Sequence, residues 1–240
     1  MPSDTLSGRT ILVTGASRGI GYATALAAAK RGATVIALAR TVSGLEALDD
    51  EVRKTNGKAV LIPADLESEE ALTRLPTALE QRFEKLDGLV LNAGLLGPLT
   101  PVVDILGKEW HKTFTVNLHA NLALLKLLDP LLQKAGDARV VGVTSRAAHV
   151  FKPFWGTYAA SKAAFEALVK TYAAEQREGL RANLIDPGPT ATEMRAEAMP
   201  GEDPSTITPP EKIGERIADM LEPAFDQQGE TVVFPRPDGK

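Results

Sequence analysis

The 240-residue chain contains no cysteine. Disulfides, thiolate metal sites and cysteine nucleophiles are excluded together, and the composition fits a reducing compartment. Histidine is nearly as scarce. His111, His119 and His149 are the whole complement, none stands at a usual ligand spacing, and no metal site is expected. Excess positive charge is missing too: 27 Lys and Arg against 31 Asp and Glu leave a formal charge of −4, with a pI near 5.5. No basic stripe is available to neutralise phosphates, so nucleic acid is not expected as a partner. There is no membrane-length apolar run. The greasiest stretch, Leu122 to Leu132, is short and carries Lys126, Asp129 and Pro130. The start, Met1-Pro2-Ser3-Asp4-Thr5, has neither a basic n-region nor an apolar h-region. These absences leave a soluble protein, expected in the cytoplasm. Its 44% apolar and 24% charged residues are an ordinary globular balance.

What is present is alternation. Apolar strand-like runs at Thr10–Thr14, Thr34–Ala39, Ala59–Ile62, Leu86–Leu91, Arg139–Thr144, Arg181–Ile185 and Val232–Phe234 are separated by helical patterns. The helices are expected at Gly19–Lys30, Ser43–Thr55, Glu69–Glu84, Thr157–Glu178 and, as one long helix or a helix pair, Lys108–Lys134. Ser43 and Glu46 read as a capping box with Gly57 as the stop, and Thr208-Pro209-Pro210-Glu211 as another box opening the last helix. Strands that are apolar throughout, each followed by a helix, predict a parallel sheet covered on both faces: a doubly wound Rossmann-type α/β fold of about seven strands in a three-layer sandwich. Its ligand crevice belongs at the carboxyl ends of the strands. Residues 1–240 read as one domain, with a substrate-side lid loop at about 188–210.

Thr14-Gly15-Ala16-Ser17-Arg18-Gly19-Ile20-Gly21 lies between the first strand and the first helix. Glycines there allow a tight turn and close backbone approach to a phosphate, and the helix N-terminus offers unpaired N–H groups. Tyr158-Ala159-Ala160-Ser161-Lys162 puts a phenol and an ammonium one turn apart, with Ser145 thirteen positions upstream at a strand end. A phenol near pKa 10 is a poor acid–base catalyst at neutral pH, and a nearby ammonium favours its ionised form.

Glycines at 15, 19 and 21, with Ser145, Tyr158 and Lys162, resemble the classical branch of the short-chain dehydrogenase/reductase family. Further positions extend the resemblance: Asn92-Ala93-Gly94 after the fourth strand, Asn117, Asp65-Leu66, and Pro187-Gly188 with Thr190 and Thr192. Each has a plainer alternative. Asn92 serves equally as a turn residue, Asn117 as the cap of a helix break, Thr192 as the N-cap of a short helix around 191–198, and Asp65 as a strand terminator. The resemblance implies roles. Tyr158 is the general acid in reduction and the base in oxidation; Lys162 lowers the phenol's pKa and holds the nicotinamide ribose; Ser145 polarises the carbonyl; Asn117 holds a relay water. Gly15, Ser17, Arg18, Gly19, Ile20 and Gly21 take the phosphates.

No acid follows the second strand, where an NAD-preferring site holds the ribose 2′-hydroxyl. Arg40 stands there, with Arg18 in the glycine loop, so NADP(H) is expected over NAD(H). Leu95, Leu96, Phe151, Phe154, Trp155, Met194 and Met199 are candidate walls of a mostly apolar pocket, or else core or subunit-contact residues; His149 reads as a polar contact or a surface residue, and Arg146 as a contact to an anionic substrate or a structural residue pointing away. The resemblance implies a homodimer or homotetramer, with a small carbonyl or secondary alcohol as substrate. A 3-oxoacyl thioester reductase and a non-catalytic NADP-binding regulator are the alternatives.

Overall fold

Seven strands form one parallel sheet: β1 (Thr10–Thr14), β2 (Thr34–Ala39), β3 (Lys58–Pro63), β4 (Gly88–Leu91), β5 (Ala138–Val143), β6 (Leu180–Asp186) and β7 (Thr231–Val233), in the order 3-2-1-4-5-6-7. The computed structural model describes residues 4–55, 57–176 and 178–235. The expectations that rest on Met1-Pro2-Ser3, and the two ends of the 1–240 span, lie outside the described residues. The chain begins in the middle of the sheet, runs outward to β3, then returns to place β4 against the other side of β1. Ile11 pairs with Val35 on one side and with Gly88 on the other. The strand order therefore reverses between β1 and β4, where the loops after the two strands part and leave a crevice.

Among the described residues there are eight α-helices: α1 (Gly19–Lys30), α2 (Val42–Val52), α3 (Glu69–Glu80), α4 (Gly107–Phe114), α5 (Ala120–Gln133), α6 (Gly156–Glu175), α7 (Glu193–Ala198) and α8 (Pro210–Met220). Strand side chains alternate between two apolar layers. Ile11, Val13, Val35, Ala37, Val141 and Ile185 pack with residues of α1, α2 and α8. Leu12, Ile36, Leu38, Val140 and Leu184 pack with α3, α5 and α6. Both faces of β1, β2, β4, β5 and β6 are thus buried, which is why these strands read as continuous apolar runs, while the edge strands β3 and β7 are only partly covered. Among the described residues, no helix is long and apolar enough to cross a membrane.

Several local expectations are corrected. Helix α2 starts at Val42 with Thr41 as N-cap and no side-chain cap bond, so Ser43 and Glu46 form no capping box. Gly57 is not its stop, since the helix ends at Val52. A Cβ on Gly57 would lie 2.4 Å from the Ala29 carbonyl oxygen, so the glycine is there for close packing on α1. Pro210 is at the first turn of α8, but the N-cap is Pro209 and no box forms; Thr208 instead pairs with Thr190. Helix α3 ends four residues early, and Ser68 caps its start by accepting from the Ala71 N–H at 3.2 Å. The leucine-rich stretch of α5 is largely core. Leu124, Leu125, Leu128, Leu131 and Leu132 are buried, while Leu122 is half exposed.

Candidate active site

The crevice is a cleft of about 640 Å³ along the carboxyl ends of the strands. One wall is the loop between β1 and α1. Gly15 and Gly19 have φ of +67° and +57°, in the region that favours glycine, and both line the cleft with Ser17, Arg18 and Ile20. Arg18, the N-cap of α1, makes no side-chain cap bond, and the first turn holds no acid. The leading N–H groups of α1 are thus left uncapped by any side chain, beside a cleft where an anion finds the positive end of the helix.

Gly21 does not line the cleft, contrary to expectation. A Cβ there would lie 2.3 Å from the Gly15 carbonyl oxygen and 2.4 Å from Asn92 Nδ2, so this glycine lets the turn fold onto its neighbours. Asn92 completes that joint. Its Nδ2 donates to the Thr14 carbonyl at 2.9 Å, while Thr14 Oγ1 accepts from the N–H groups of Asn92 and Ala93 at 3.0 Å each. This cross-link pins the glycine loop to the Asn92-Ala93-Gly94 turn, whose three residues all line the cleft.

The reacting groups come from β5 and α6. Ser145 follows β5 in extended conformation and starts the helical turn Arg146–Ala148, its Oγ accepting from the Ala147 N–H at 3.2 Å. Tyr158 is in the first turn of α6, with its ring edge-on to Trp155 at 5.9 Å. Phe154, two residues before α6 begins, has φ of +75°, a left-handed conformation that is costly for an aromatic and sets the entry of the chain into α6. Lys162 is buried, its Nζ donating to the Val143 carbonyl at 2.8 Å and lying 5.8 Å from the centre of the Tyr158 ring. Ser145, Tyr158 and Lys162 all line the cleft.

Asn117 is brought beside them but not into the lining. It lies in a π-helical segment, Thr115–His119, between α4 and α5. Its Oδ1 accepts from the Leu95 N–H at 2.7 Å, and its Nδ2 donates to the Leu95 carbonyl and to Ser161 Oγ, each at 2.9 Å. The side chain therefore clamps the segment after Gly94 to α6. Its main-chain carbonyl accepts from Asn121 Nδ2 at 2.8 Å.

Burial governs the acid–base balance. It pushes the Tyr158 phenol up to about 12; the Ser145 hydroxyl acts in the opposite direction, and the negative charge of Asp186 adds to the rise. Burial also brings Lys162 down to about 8, against the opposing charge of Glu166. The expectation that Lys162 lowers the phenol's pKa is thus not the balance these residues strike by themselves, because the interior penalises both charges. A stability consequence follows. Lys162 in the folded protein loses its proton near pH 8, whereas its ordinary value is 10.5. Between those values the unfolded chain binds more protons, so this group makes stability rise with pH. Above pH 10 the raised Tyr158 works the other way. From pH 8 to 10 the wild type is expected to gain roughly 1–3 kcal/mol relative to Lys162→Met. Thermal melts of both proteins across that range check this; parallel curves would contradict it.

At the adenosine end Arg40, Asp65 and Leu66 line the cleft. Arg40 is half exposed and its guanidinium stands 3.3 Å from Glu67 and 4.0 Å from Asp65. Arg18 is paired with Glu193 of α7. Both arginines thus already face carboxylates. Thr41, beside Arg40, also lines the cleft.

The segment after β6 closes the far side. Pro187, Gly188, Thr190 and Thr192 line the cleft. Thr192 is the N-cap of α7, its Oγ1 accepting from the Arg195 N–H at 3.3 Å, so the plainer reading of that residue holds. It also lies against the glycine loop, since a Cβ on Gly19 would meet Thr192 Cγ2 at 3.3 Å. The base of the segment is tied by the Ala191 N–H donating to the Thr208 carbonyl at 2.9 Å. Arg195, which sequence reasoning missed, lines the cleft and pairs with Glu202 at 2.5 Å.

Of the pocket candidates, Leu95, Leu96, Trp155 and Met194 line the cleft. Arg146 and His149 do not. Arg146 is exposed on the turn after Ser145, and His149 Nε2 is engaged by Glu166 Oε2 at 2.7 Å. Phe151, Phe154 and Met199 are exposed outside it.

Comparison with known proteins identifies the family. The family model described as short chain dehydrogenase matches residues 9–203. The oxidoreductase YciK of Escherichia coli strain K12 is 36% identical over 213 residues, covering 88% of this chain and 84% of YciK. An NADPH-dependent aldehyde reductase-like chloroplastic protein of Arabidopsis thaliana is 33% identical over 203 residues, 79% of this chain and 75% of that protein. A short chain dehydrogenase of Escherichia coli CFT073, solved in complex with NADPH, superposes with a TM-score of 0.89 at 34% identity, over 96% of this chain and 98% of that one.

Proposed function

The chain belongs to the short-chain dehydrogenase family of oxidoreductases, and from that premise we propose that it exchanges hydride between NADP(H) and the carbonyl or secondary-alcohol carbon of a small substrate. The observation that carries this is one cleft that joins the uncapped start of α1 to Ser145, Tyr158 and Lys162 at the ends of the strands. The residues fit a nicotinamide dinucleotide. Gly15, Ser17, Gly19 and Ile20 would hold its pyrophosphate, Arg18 and Arg40 a 2′-phosphate, Asp65 and Leu66 its adenine, and Lys162 its nicotinamide ribose. Asn92, Ala93 and Gly94 would flank it, with Pro187, Gly188, Thr190 and Thr192 covering it. When bound, the cofactor supplies or accepts the hydride.

The protein's own residues manage the proton and the carbonyl. Ser145 donates a hydrogen bond to the carbonyl oxygen as it gains charge. Tyr158 is a neutral phenol that stands where it would deliver a proton to that oxygen; burial alone holds it near 12, above the range useful at neutral pH, so the proton transfer depends on positive charge from Lys162 and the bound cofactor offsetting that burial. Asn117 acts by holding Leu95 and Ser161, and so the floor beside Tyr158. Leu95, Leu96, Trp155 and Met194 form an apolar pocket that favours a substrate with little charge. The NADPH-complexed neighbour and the aldehyde reductase-like relative support NADPH and aldehydes as the first pair to try. The same reading takes residues 1–240 as one domain, at work in the cytoplasm as a homodimer or homotetramer.

NADPH consumption with a panel of aldehydes, ketones and 3-oxoacyl thioesters tests the proposal. Turnover with the simple carbonyls is expected. Binding of NADPH without turnover of any member would make the protein a regulator and overturn it.

A further inference from the structure

Glu166 was not among the residues the sequence singled out, yet it is buried directly behind the reacting groups. It is one helical turn beyond Lys162 on α6, its side chain 5% exposed. Its Oε1 accepts from Thr144 Oγ1 at 2.7 Å, and its Oε2 stands 2.7 Å from His149 Nε2. Thr144 lies between Val143, whose carbonyl accepts from Lys162, and Ser145. His149 ends the turn that Ser145 begins. A single carboxylate therefore grips both sides of Ser145 from the helix that carries Tyr158 and Lys162.

A buried carboxylate is costly wherever an apolar residue would fill the space, so the site retains a charge that packing alone does not require. Its two donors account for its position. Its charge acts on Lys162.

We propose that Glu166 is a positioning residue of this active site: by bridging the Thr144 hydroxyl and the His149 imidazole it holds Ser145 in line with Tyr158, and it sets a carboxylate one helical turn from Lys162 on α6. The inference rests on the function proposed above, because it gives Ser145, Tyr158 and Lys162 their roles. The charged and titratable groups concerned are few. Tyr158 and Glu166 flank Lys162 on α6, His149 faces Glu166 from the turn after β5, and Asp186 of β6 acts on Tyr158.

Two readouts test it. The first needs no substrate. Melting temperatures of the wild type and Glu166→Gln are measured from pH 6 to 10. The rise that begins near pH 8 in the wild type is expected to begin about one pH unit lower in the variant, because the carboxylate no longer supports the ammonium. Superimposable profiles would overturn the charge role. The second readout is turnover with NADPH and the best carbonyl of the panel. Thr144→Val is expected to lower kcat roughly tenfold with little change in KM, since misplacing a reacting group costs rate rather than binding. Thr144→Ser keeps the hydroxyl and is expected to retain wild-type kcat. Wild-type kcat in Thr144→Val would overturn the positioning role, and this pair decides even if Glu166→Gln fails to fold. A wild type that turns over no carbonyl would count against the proposed function, while the melting profiles would still decide the charge role.

Discussion

Replacing Tyr158 with Phe is expected to lower kcat for carbonyl reduction by about 10²–10⁴-fold, the range that a positioned general acid supplies. The change is confined to one hydroxyl. The ring remains edge-on to Trp155 at the start of α6, and Lys162 keeps its bond to the Val143 carbonyl. The fold should therefore be intact, and losing one neutral hydrogen bond leaves NADPH affinity within about tenfold. The pairing of a large loss in kcat with a small change in binding distinguishes a proton donor from a residue that merely lines the cleft. Steady-state kinetics beside a direct NADPH titration measure both. A wild-type rate in Tyr158→Phe would remove Tyr158 from the chemistry.

The second large effect concerns the choice of cofactor. Arg40→Asp is expected to lower kcat/KM with NADPH by roughly 10–10²-fold while leaving NADH much less affected, as befits the loss of a charge-assisted contact to a 2′-phosphate. Arg40 also neutralises Glu67 and Asp65, so the aspartate adds repulsion as well as removing attraction. Arg40→Gln separates the two, and a smaller drop is expected from it. Arg18 holds Glu193 across the mouth of the cleft, and a 2′-phosphate would compete with that carboxylate for the guanidinium. Measuring both cofactors with both variants checks the assignment. An unchanged NADPH-to-NADH ratio in Arg40→Asp would contradict it.

The architecture was readable because its causes are local. Strands buried on both faces must be apolar throughout, and Thr10–Thr14 and Thr34–Ala39 were legible to the residue. The glycine loop and the Tyr158–Lys162 spacing carried the site for a similar reason, since each lies within one turn or one helix. What stayed hidden depends on partners far along the chain. Gly21 looks like a phosphate-loop glycine, and only the packing of Asn92 against it shows that it serves the joint. His149 reads from the sequence as a surface residue or a pocket contact; it is exposed, and its tie to Glu166, seventeen positions on, was not legible. Arg18 and Arg40 were legible as cations, but their acidic partners on α7 and after β3 were not. The capping boxes at Ser43 and Thr208 failed because helix starts moved by one or two residues, enough to carry a hydroxyl away from the N–H groups it would cap.

The central claim, that this cleft carries hydride from NADPH to a carbonyl carbon, is tested most directly by isotope transfer. NADPH deuterated at its reactive ring carbon is incubated with the wild-type protein and an aldehyde, and the alcohol is analysed by mass spectrometry. The account predicts one deuterium on the carbinol carbon, with transfer abolished in Tyr158→Phe. Alcohol formed without the label, or label transferred equally well by Tyr158→Phe, would contradict it.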